Sequence, residues 1–283
     1  MIERAYIEIG NICNLSCSFC PKTSRPPKRM SVEEFSDIVE KLKGSVSYIY
    51  LHVMGEPLFH PQLSELLDIL GRAKIPACIT TNGTLLSSRA EVLLSHADVV
   101  HKVAISLHSL EGNGREAFMR EYISSVADFS IRASDAGIYT VLRLWNEDSQ
   151  ERQGENSSNS EILKLLKDAF PEEWQKRRSG YRLMRNVFLE YAEIFTWPTE
   201  SKADERASGR CHGIIDQIAI LADGTVVPCC LDSEGEIPLG NIKDLSLEEI
   251  LSSERAVKMK KGLKSGCFTE KLCRRCTYAR RFS

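Results

Sequence analysis

Cys13-Asn14-Leu15-Ser16-Cys17-Ser18-Phe19-Cys20 is the most informative run in this chain. It follows a short alternating apolar segment, Tyr6 to Ile9, that reads as a strand. Thiolates at i, i+4 and i+7 on one tight loop reach three corners of an iron–sulfur cube, and no other cysteine lies near in sequence to take the fourth. A cubane cluster normally has four cysteine ligands. Three point to an iron left open for a substrate or cofactor, by the logic that separates open catalytic metal sites from closed structural ones. A structural zinc site uses paired CxxC knuckles or a nearby histidine, and this run offers neither.

Outward from the loop, strand-like and helix-like segments alternate. Ser31-Val32-Glu33-Glu34 is a capping box opening a helix from about Val32 to Lys43, which Gly44 stops. Tyr48 to Val53 reads as a second strand, and Pro61 opens a helix with Leu63, Leu66, Leu67 and Leu70 at core-facing spacing. Ala77 to Thr81, Lys102 to Leu107 and Tyr139 to Leu144 are further strands, with helices over Ser88 to Leu94 and Arg115 to Ala136 between them. A sixth strand is expected within Arg182 to Leu189. Such alternation implies a parallel sheet with right-handed crossovers. Asn146 to Ser160 has no apolar side chain and reads as a solvated loop, or as a lid leaving the fifth strand. Thr199 to Arg210 reads as a linker. Beyond it, Ile214 to Leu221 and Thr225 to Val227 form a hairpin around Ala222-Asp223-Gly224, and a second capping box, Ser246-Leu247-Glu248-Glu249, opens a helix to about Lys261.

The cysteine run, with its aromatic Phe19 before the last cysteine, resembles the radical S-adenosylmethionine (SAM) superfamily. The resemblance implies a partial (β/α)6 barrel over residues 1–198, with functional groups at the C-terminal strand ends as in complete barrels. It also implies a [4Fe–4S] cluster on Cys13, Cys17 and Cys20 whose open iron binds SAM. Gly55-Glu56-Pro57 resembles the family's GGEP-type turn, with Met54 in place of its first glycine, and implies that this turn and Glu56 hold the methionine ammonium. Thr80, Thr81 and Asn82 end the third strand where the family binds methionine or ribose, and Ser106 ends the fourth near the ribose hydroxyls. Arg143 suits the methionine carboxylate by planar pairing, and Phe19 and Leu144 are candidates near adenine.

Cys211, Cys229, Cys273 and Cys276 form a second set, one on each side of the hairpin and two in a CxxC knuckle. On spacing alone, zinc and an iron–sulfur cluster compete for it. Cys211, Asp223 to Cys229, Leu239-Gly240-Asn241-Ile242 and the knuckle resemble the twitch domain, the shorter relative of SPASM, which implies one auxiliary cluster over residues 199–283 and two [4Fe–4S] clusters in all. Cys230 and Cys267 are alternative ligands, and Cys78 reads as a core residue.

Candidate substrate groups are His52, His108, Trp145, Tyr181 and Arg182, a mixture suited to an aromatic heterocycle or a polyol. The chain begins close to the cluster strand, which disfavours a peptide substrate. The short format with one auxiliary cluster looks like small-molecule members of the family. The favoured expectation is a nucleoside lyase releasing queuine from queuosine or its 5′-monophosphate. The alternatives are an aminocyclitol or sugar-alcohol dehydrogenase, a peptide-modifying enzyme, and a non-enzymatic iron–sulfur carrier or redox sensor. An electron donor such as flavodoxin or ferredoxin is expected.

Composition bounds these readings. Ten cysteines in 283 residues, with no signal-peptide core at the N-terminus, argue against a disulfide framework and for a cytoplasmic protein of reducing or anaerobic surroundings. A hydrophobic content of 42% and a charged content of 27% are ordinary for a soluble globular protein. A net charge of −2 leaves no basic field for unspecific nucleic-acid binding. No stretch approaches the ~18–20 apolar residues of a membrane span.

Overall fold

Strand and helix alternate along most of the chain. The structure is a computed structural model and describes residues 2–145, 158–192, 196–199 and 205–282. β1 (Ile2–Ile7) leads into the cysteine loop, followed by α1 (Val32–Leu42), β2 (Val46–Tyr50), α2 (Leu63–Ala73) and β3 (Ala77–Thr81). Then come α3 (Leu86–Leu94), β4 (Val100–Ser106), α4 (Met119–Asp135), β5 (Tyr139–Trp145) and α5 (Asn159–Ala169). Three strands follow, β6 (Gln175–Arg177), β7 (Gly180–Met184) and β8 (Val187–Ala192). The C-terminal part holds β9 (Gln217–Ile220), β10 (Thr225–Val227), β11 (Gly240–Asn241), α6 (Leu247–Ser252), α7 (Glu254–Lys264) and α8 (Lys271–Arg275).

β1 to β5 lie side by side in chain order and parallel, and β8 continues them parallel to β5. This is the mixed α/β order of a partial (β/α)6 barrel. On the far side of β1, β9 pairs with it in parallel, and β10 and β11 add on antiparallel. The C-terminal hairpin is therefore hydrogen-bonded to the strand that carries the cysteine loop.

Side chains alternate across the sheet. Ala5, Ile7, Ile49 and Leu51 are buried in the main core, whereas Arg4, Tyr6, Tyr50 and His52 line a cavity on the opposite face. The barrel interior is thus aromatic and polar where the helix-covered face is aliphatic. Among the described residues, no helix is long and apolar enough to cross a membrane.

Three expectations change. The sixth strand is a hairpin: β7 and β8 run antiparallel and turn at Asn186, which takes φ 58°, a left-handed conformation that asparagine tolerates. The sequence reading passes over α5, whose Ile162, Leu165 and Leu166 are buried. The helix expected from Ser246 to Lys261 is two helices, because Ser253 is extended (ψ 150°) and its hydroxyl caps α7 by accepting from the Ala256 N–H. The expected loop at Asn146–Ser160 lies mostly, and the linker at Thr199–Arg210 partly, outside the described residues.

Candidate active site

The cysteine loop is closed at its neck. Gly10 bridges to Arg29, Asn11 and Lys28 exchange backbone N–H and side-chain bonds, and Asn11 Nδ2 donates to Pro26 O at 2.9 Å. Each thiol within the loop accepts a hydrogen bond. Leu15 N–H donates to Cys13 Sγ at 3.4 Å, Lys22 N–H to Cys20 Sγ at 3.4 Å, and Asn113 Nδ2 to Cys17 Sγ at 3.1 Å. Burial pushes the Cys13 and Cys17 thiols above their ordinary range, and repulsion from neighbouring acidic groups adds to it. Sulfurs that repel one another as thiolates and already accept N–H donors are chemically suited to a cluster, where the iron carries the opposing charge.

Gly55 shows why the turn after β2 needs a glycine. Its φ is 78°, and a Cβ there would lie 2.3 Å from Gly10 O. The turn packs backbone against backbone on the cysteine loop, and Glu56 N–H donates to Ile12 O at 3.1 Å. Glu56 is buried, and its carboxylate accepts from Leu58 N–H, Thr81 Oγ1 and Asn82 N–H at 2.7–3.0 Å. Burial raises its pKa while those three donors oppose the rise. It braces the Gly55-Glu56-Pro57 turn against the end of β3, so a methionine ammonium would compete with donors from the chain itself. Asn82 also belongs to the cysteine loop's support, with Nδ2 donating to Asn14 Oδ1 at 2.9 Å.

Glu8 was not singled out from the sequence, yet it joins distant parts of the chain. Wholly buried, it takes a bidentate pair from Arg25 at 2.6 and 2.7 Å, the Met54 N–H at 3.2 Å and the Ala222 N–H at 2.9 Å. Arg25 Nε donates to Ser233 O at 2.8 Å. One ion pair thus ties β1, the cysteine loop, the turn after β2 and the C-terminal hairpin. An acid at the end of an otherwise apolar strand, Tyr6 to Ile9, was the available signal.

Cys211, Cys229, Cys273 and Cys276 all line one cavity of about 580 Å³. Burial pushes the Cys229 and Cys273 thiols well up, and repulsion from Cys211 adds to both. Gly213 N–H donates to Cys211 Sγ at 3.3 Å. These four fit a closed four-thiolate cluster. Cys230 lines the same cavity with its thiol pushed up to about 12 by burial. Cys267 is exposed, with Sγ 4.0 Å from Ser265 O, and Cys78 is buried in β3.

The cavity runs from this set to the ends of β3, β4 and β5, where Thr80, Ser106 and Arg143 line it, with Arg4, His52 and Glu190 along its walls. Burial lowers the His52 pKa to about 3, and the positive charges of Arg143 and Lys102 add to the effect, so its imidazole is neutral at neutral pH. Its buried Nδ1 and the buried Arg4 Nε have no hydrogen-bond partner among the described residues.

Other expected site residues stand apart from that cavity. Leu144 is wholly buried in the main core: Arg143 faces the cavity, so its neighbour faces the helices, away from any adenine. Thr81 is turned away for the same reason, toward Glu56. Phe19 packs its ring on His108 (centroids 4.8 Å apart), and burial lowers the His108 pKa to about 3. Tyr181 and Arg182 lie on β7, one strand beyond the parallel set. There Tyr181 packs against Trp174 and Tyr191, and Arg182 Nε donates to Met184 O at 3.2 Å. They are expected to precede or open the sixth strand, and the hairpin places them instead within β7, between β8 and the edge strand β6. The Trp145 side chain lies outside what is described.

A three-cysteine loop on a partial α/β barrel, beside a four-cysteine set on an appended hairpin, defines a class of SAM-dependent iron–sulfur enzymes. Residues 7–145 match the model of the radical SAM superfamily, and residues 211–277 match the SPASM iron–sulfur cluster-binding domain. The chain belongs to the radical SAM superfamily and carries a SPASM-like auxiliary domain.

Among curated proteins, it is 24% identical over 274 residues to the antilisterial bacteriocin subtilosin biosynthesis protein AlbA of Bacillus subtilis, covering 88% of this chain and 59% of AlbA. It is 25% identical over 279 residues to the sporulation killing factor maturation protein SkfB of the same organism, covering 90% of this chain and 66% of SkfB. The chain spans about one third to two thirds of the length of the curated relatives it matches. Among solved structures, BtrN in complex with AdoMet and 2-DOIA superposes with a TM-score of 0.62 at 16% identity, covering 98% of this chain and 93% of BtrN. At that identity the likeness is one of fold.

Proposed function

We propose that this radical SAM enzyme modifies a peptide held in the cavity between the two cysteine sets. The observation that carries this reading is the alignment of 88% and 90% of the chain with two relatives named for bacteriocin biosynthesis and killing-factor maturation. When bound and reduced, a [4Fe–4S] cluster and SAM supply a 5′-deoxyadenosyl radical that takes hydrogen from the substrate. The chain's own residues do the rest. Cys13, Cys17 and Cys20 hold the first cluster, and Cys211, Cys229, Cys273 and Cys276 hold the second. Thr80, Ser106 and Arg143 receive polar groups of SAM at the strand ends. Arg4, His52 and Glu190 offer the substrate a cation, a neutral imidazole and a carboxylate. Flavodoxin or ferredoxin in the cytoplasm is the proposed source of electrons.

A second reading has its own support. The Tyr6 ring centroid lies 4.8 Å from Tyr50 and 5.2 Å from His52. An aromatic wall with Arg4 and Arg143 on the same cavity suits a planar heterocycle on a sugar, as in a lyase releasing queuine from queuosine 5′-monophosphate.

One experiment separates the two. The reconstituted enzyme is given SAM and dithionite with either a peptide fraction or queuosine 5′-monophosphate. 5′-Deoxyadenosine above the SAM-only rate, with a mass-shifted peptide, is the expected result. Free queuine from the nucleotide overturns the peptide reading in favour of the lyase.

A further inference from the structure

We infer that Asn113, in the turn after β4, is a positioning residue that sets the reduction potential of the cluster on Cys13, Cys17 and Cys20. The inference rests on the radical SAM site and holds for either substrate.

Both N–H groups of the Asn113 amide and one acceptor position of its oxygen are engaged. Nδ2 donates to Cys17 Sγ at 3.1 Å and to Ser109 O at 2.7 Å, and Oδ1 accepts the Ser16 N–H at 2.9 Å. These partners allow one orientation only. A flipped amide would set its oxygen against the Ser109 carbonyl and its NH2 against the Ser16 N–H. The turn is docked on the loop at a second point, where Ser18 N–H donates to Gly112 O at 2.9 Å. That approach is tight: a Cβ on Gly112 would lie 2.4 Å from Phe19 Cε1. Main-chain contacts at residues 16 and 18 therefore fix the sulfur of residue 17 opposite an N–H that points at it.

The other close donors to the loop sulfurs, Leu15 N–H and Lys22 N–H, are backbone groups two residues along the same loop. They come with the loop's own fold. Asn82 Nδ2 stands farther away, 3.8 Å from Cys13 Sγ. Asn113 makes the shortest of these contacts, and it comes from a different element. N–H donation to a cluster thiolate stabilises the reduced form, in which the sulfur carries more charge, and so raises the potential.

The test is a redox titration of the reconstituted enzyme followed by EPR, with Asn113→Leu as a near-isosteric variant without a donor. At the parent's midpoint potential, the reduced-to-oxidised ratio of the SAM-responsive signal should fall about tenfold, the size of one net hydrogen bond. A purely structural role would lower iron loading and leave the midpoint of the loaded fraction unmoved, and that result overturns the assignment. A second measurement serves if Asn113→Leu fails to hold the cluster. Parent enzyme labelled with side-chain 15N-asparagine should show a nitrogen hyperfine coupling on the reduced cluster. Asn113→Asp, which keeps an acceptor for Ser16, should remove the largest coupling and leave at most the weaker one from Asn82, 3.8 Å from Cys13 Sγ. A spectrum without the coupling in the parent, or with it unchanged in Asn113→Asp, overturns the assignment.

Discussion

The two cysteine sets solve the same problem in opposite ways. Cys13, Cys17 and Cys20 sit on one loop, and Cys13 is exposed. Their geometry is enforced from outside, by Asn113, by the turn at Gly55 and by the Glu8–Arg25 pair. Cys211, Cys273 and Cys276 pack directly against the main core, and the hairpin and the C-terminal knuckle bring them together. A loop that carries the ligands and borrows its rigidity can leave one metal corner open to a cofactor. A set built into the core would be closed, and a metal there would become part of what holds the domain together.

That contrast predicts a double dissociation. Cys17→Ala should abolish 5′-deoxyadenosine formation, measured by chromatography, and leave the thermal midpoint of the protein nearly unchanged. Cys273→Ala should keep the first cluster's absorbance but lower the thermal midpoint clearly. If both variants lose activity and stability together, the loop and the hairpin are one cooperative unit and the contrast fails.

Glu8→Gln probes whether the two regions are joined at a single ion pair. The substitution removes the carboxylate bonded to Arg25, which is only 14% exposed in its side chain, and leaves it the more distant charges of Asp223 and Glu234. Breaking a buried pair by removing one partner costs about 3–5 kcal/mol. Denaturant unfolding should show a loss of that order, with weakened SAM binding because the amide keeps one oxygen and so leaves either the Met54 or the Ala222 N–H facing an NH2. A loss below about 1 kcal/mol would mean the pair is as dispensable as an exposed one. Gly55→Ala is the next smaller perturbation. It adds a Cβ at a left-handed φ, against Gly10 O, and should cost about 2–3 kcal/mol. Because the strain falls on the cysteine-loop side, it should raise the KM for SAM without changing the second cluster's spectrum.

How much could be read in advance follows the same division. The cysteine loop was legible because its three cysteines lie close together in sequence, and the parallel strands because capped, amphipathic helical segments separate them. Gly55 was legible because a glycine in a motif turn marks close approach. What escaped is what depends on contacts distant in sequence. Asn113 lies 96 residues from the thiol it touches, and Glu8 lies 214 residues from Ala222. Tyr181 and Arg182 were misplaced because the tight turn at Asn186 that splits β7 from β8 carries no Gly or Pro to mark it. Leu144 was misplaced through a parity error: once Arg143 faces the cavity, its neighbour cannot.

The two capping boxes give the finest comparison, since the same four-residue device occurs once beside each cysteine set. Both form as the sequence implies, with Ser31 and Ser246 each accepting from the N–H of a glutamate three residues on. Their surroundings differ. Glu34 also receives Lys28 at 2.8 Å and Lys243 at 2.6 Å, linking α1 to the cysteine loop and to the C-terminal region. Burial alone would raise the Glu34 pKa, but the hydrogen bonds from both lysines and from Ser31 outweigh it and bring the value down to about 2. Glu249 is exposed, and its carboxylate accepts from Ser246 N–H and Oγ, with no lysine hydrogen-bonded to it among the described residues. Ser31→Ala should therefore cost about 1 kcal/mol, at the usual size for a lost cap, and loosen the lysine contacts with it. Ser246→Ala should cost less, because α6 is short and water replaces the hydroxyl at an exposed terminus. Equal losses for the two variants in denaturant unfolding would show that the network around Glu34 adds nothing to the cap it is built on.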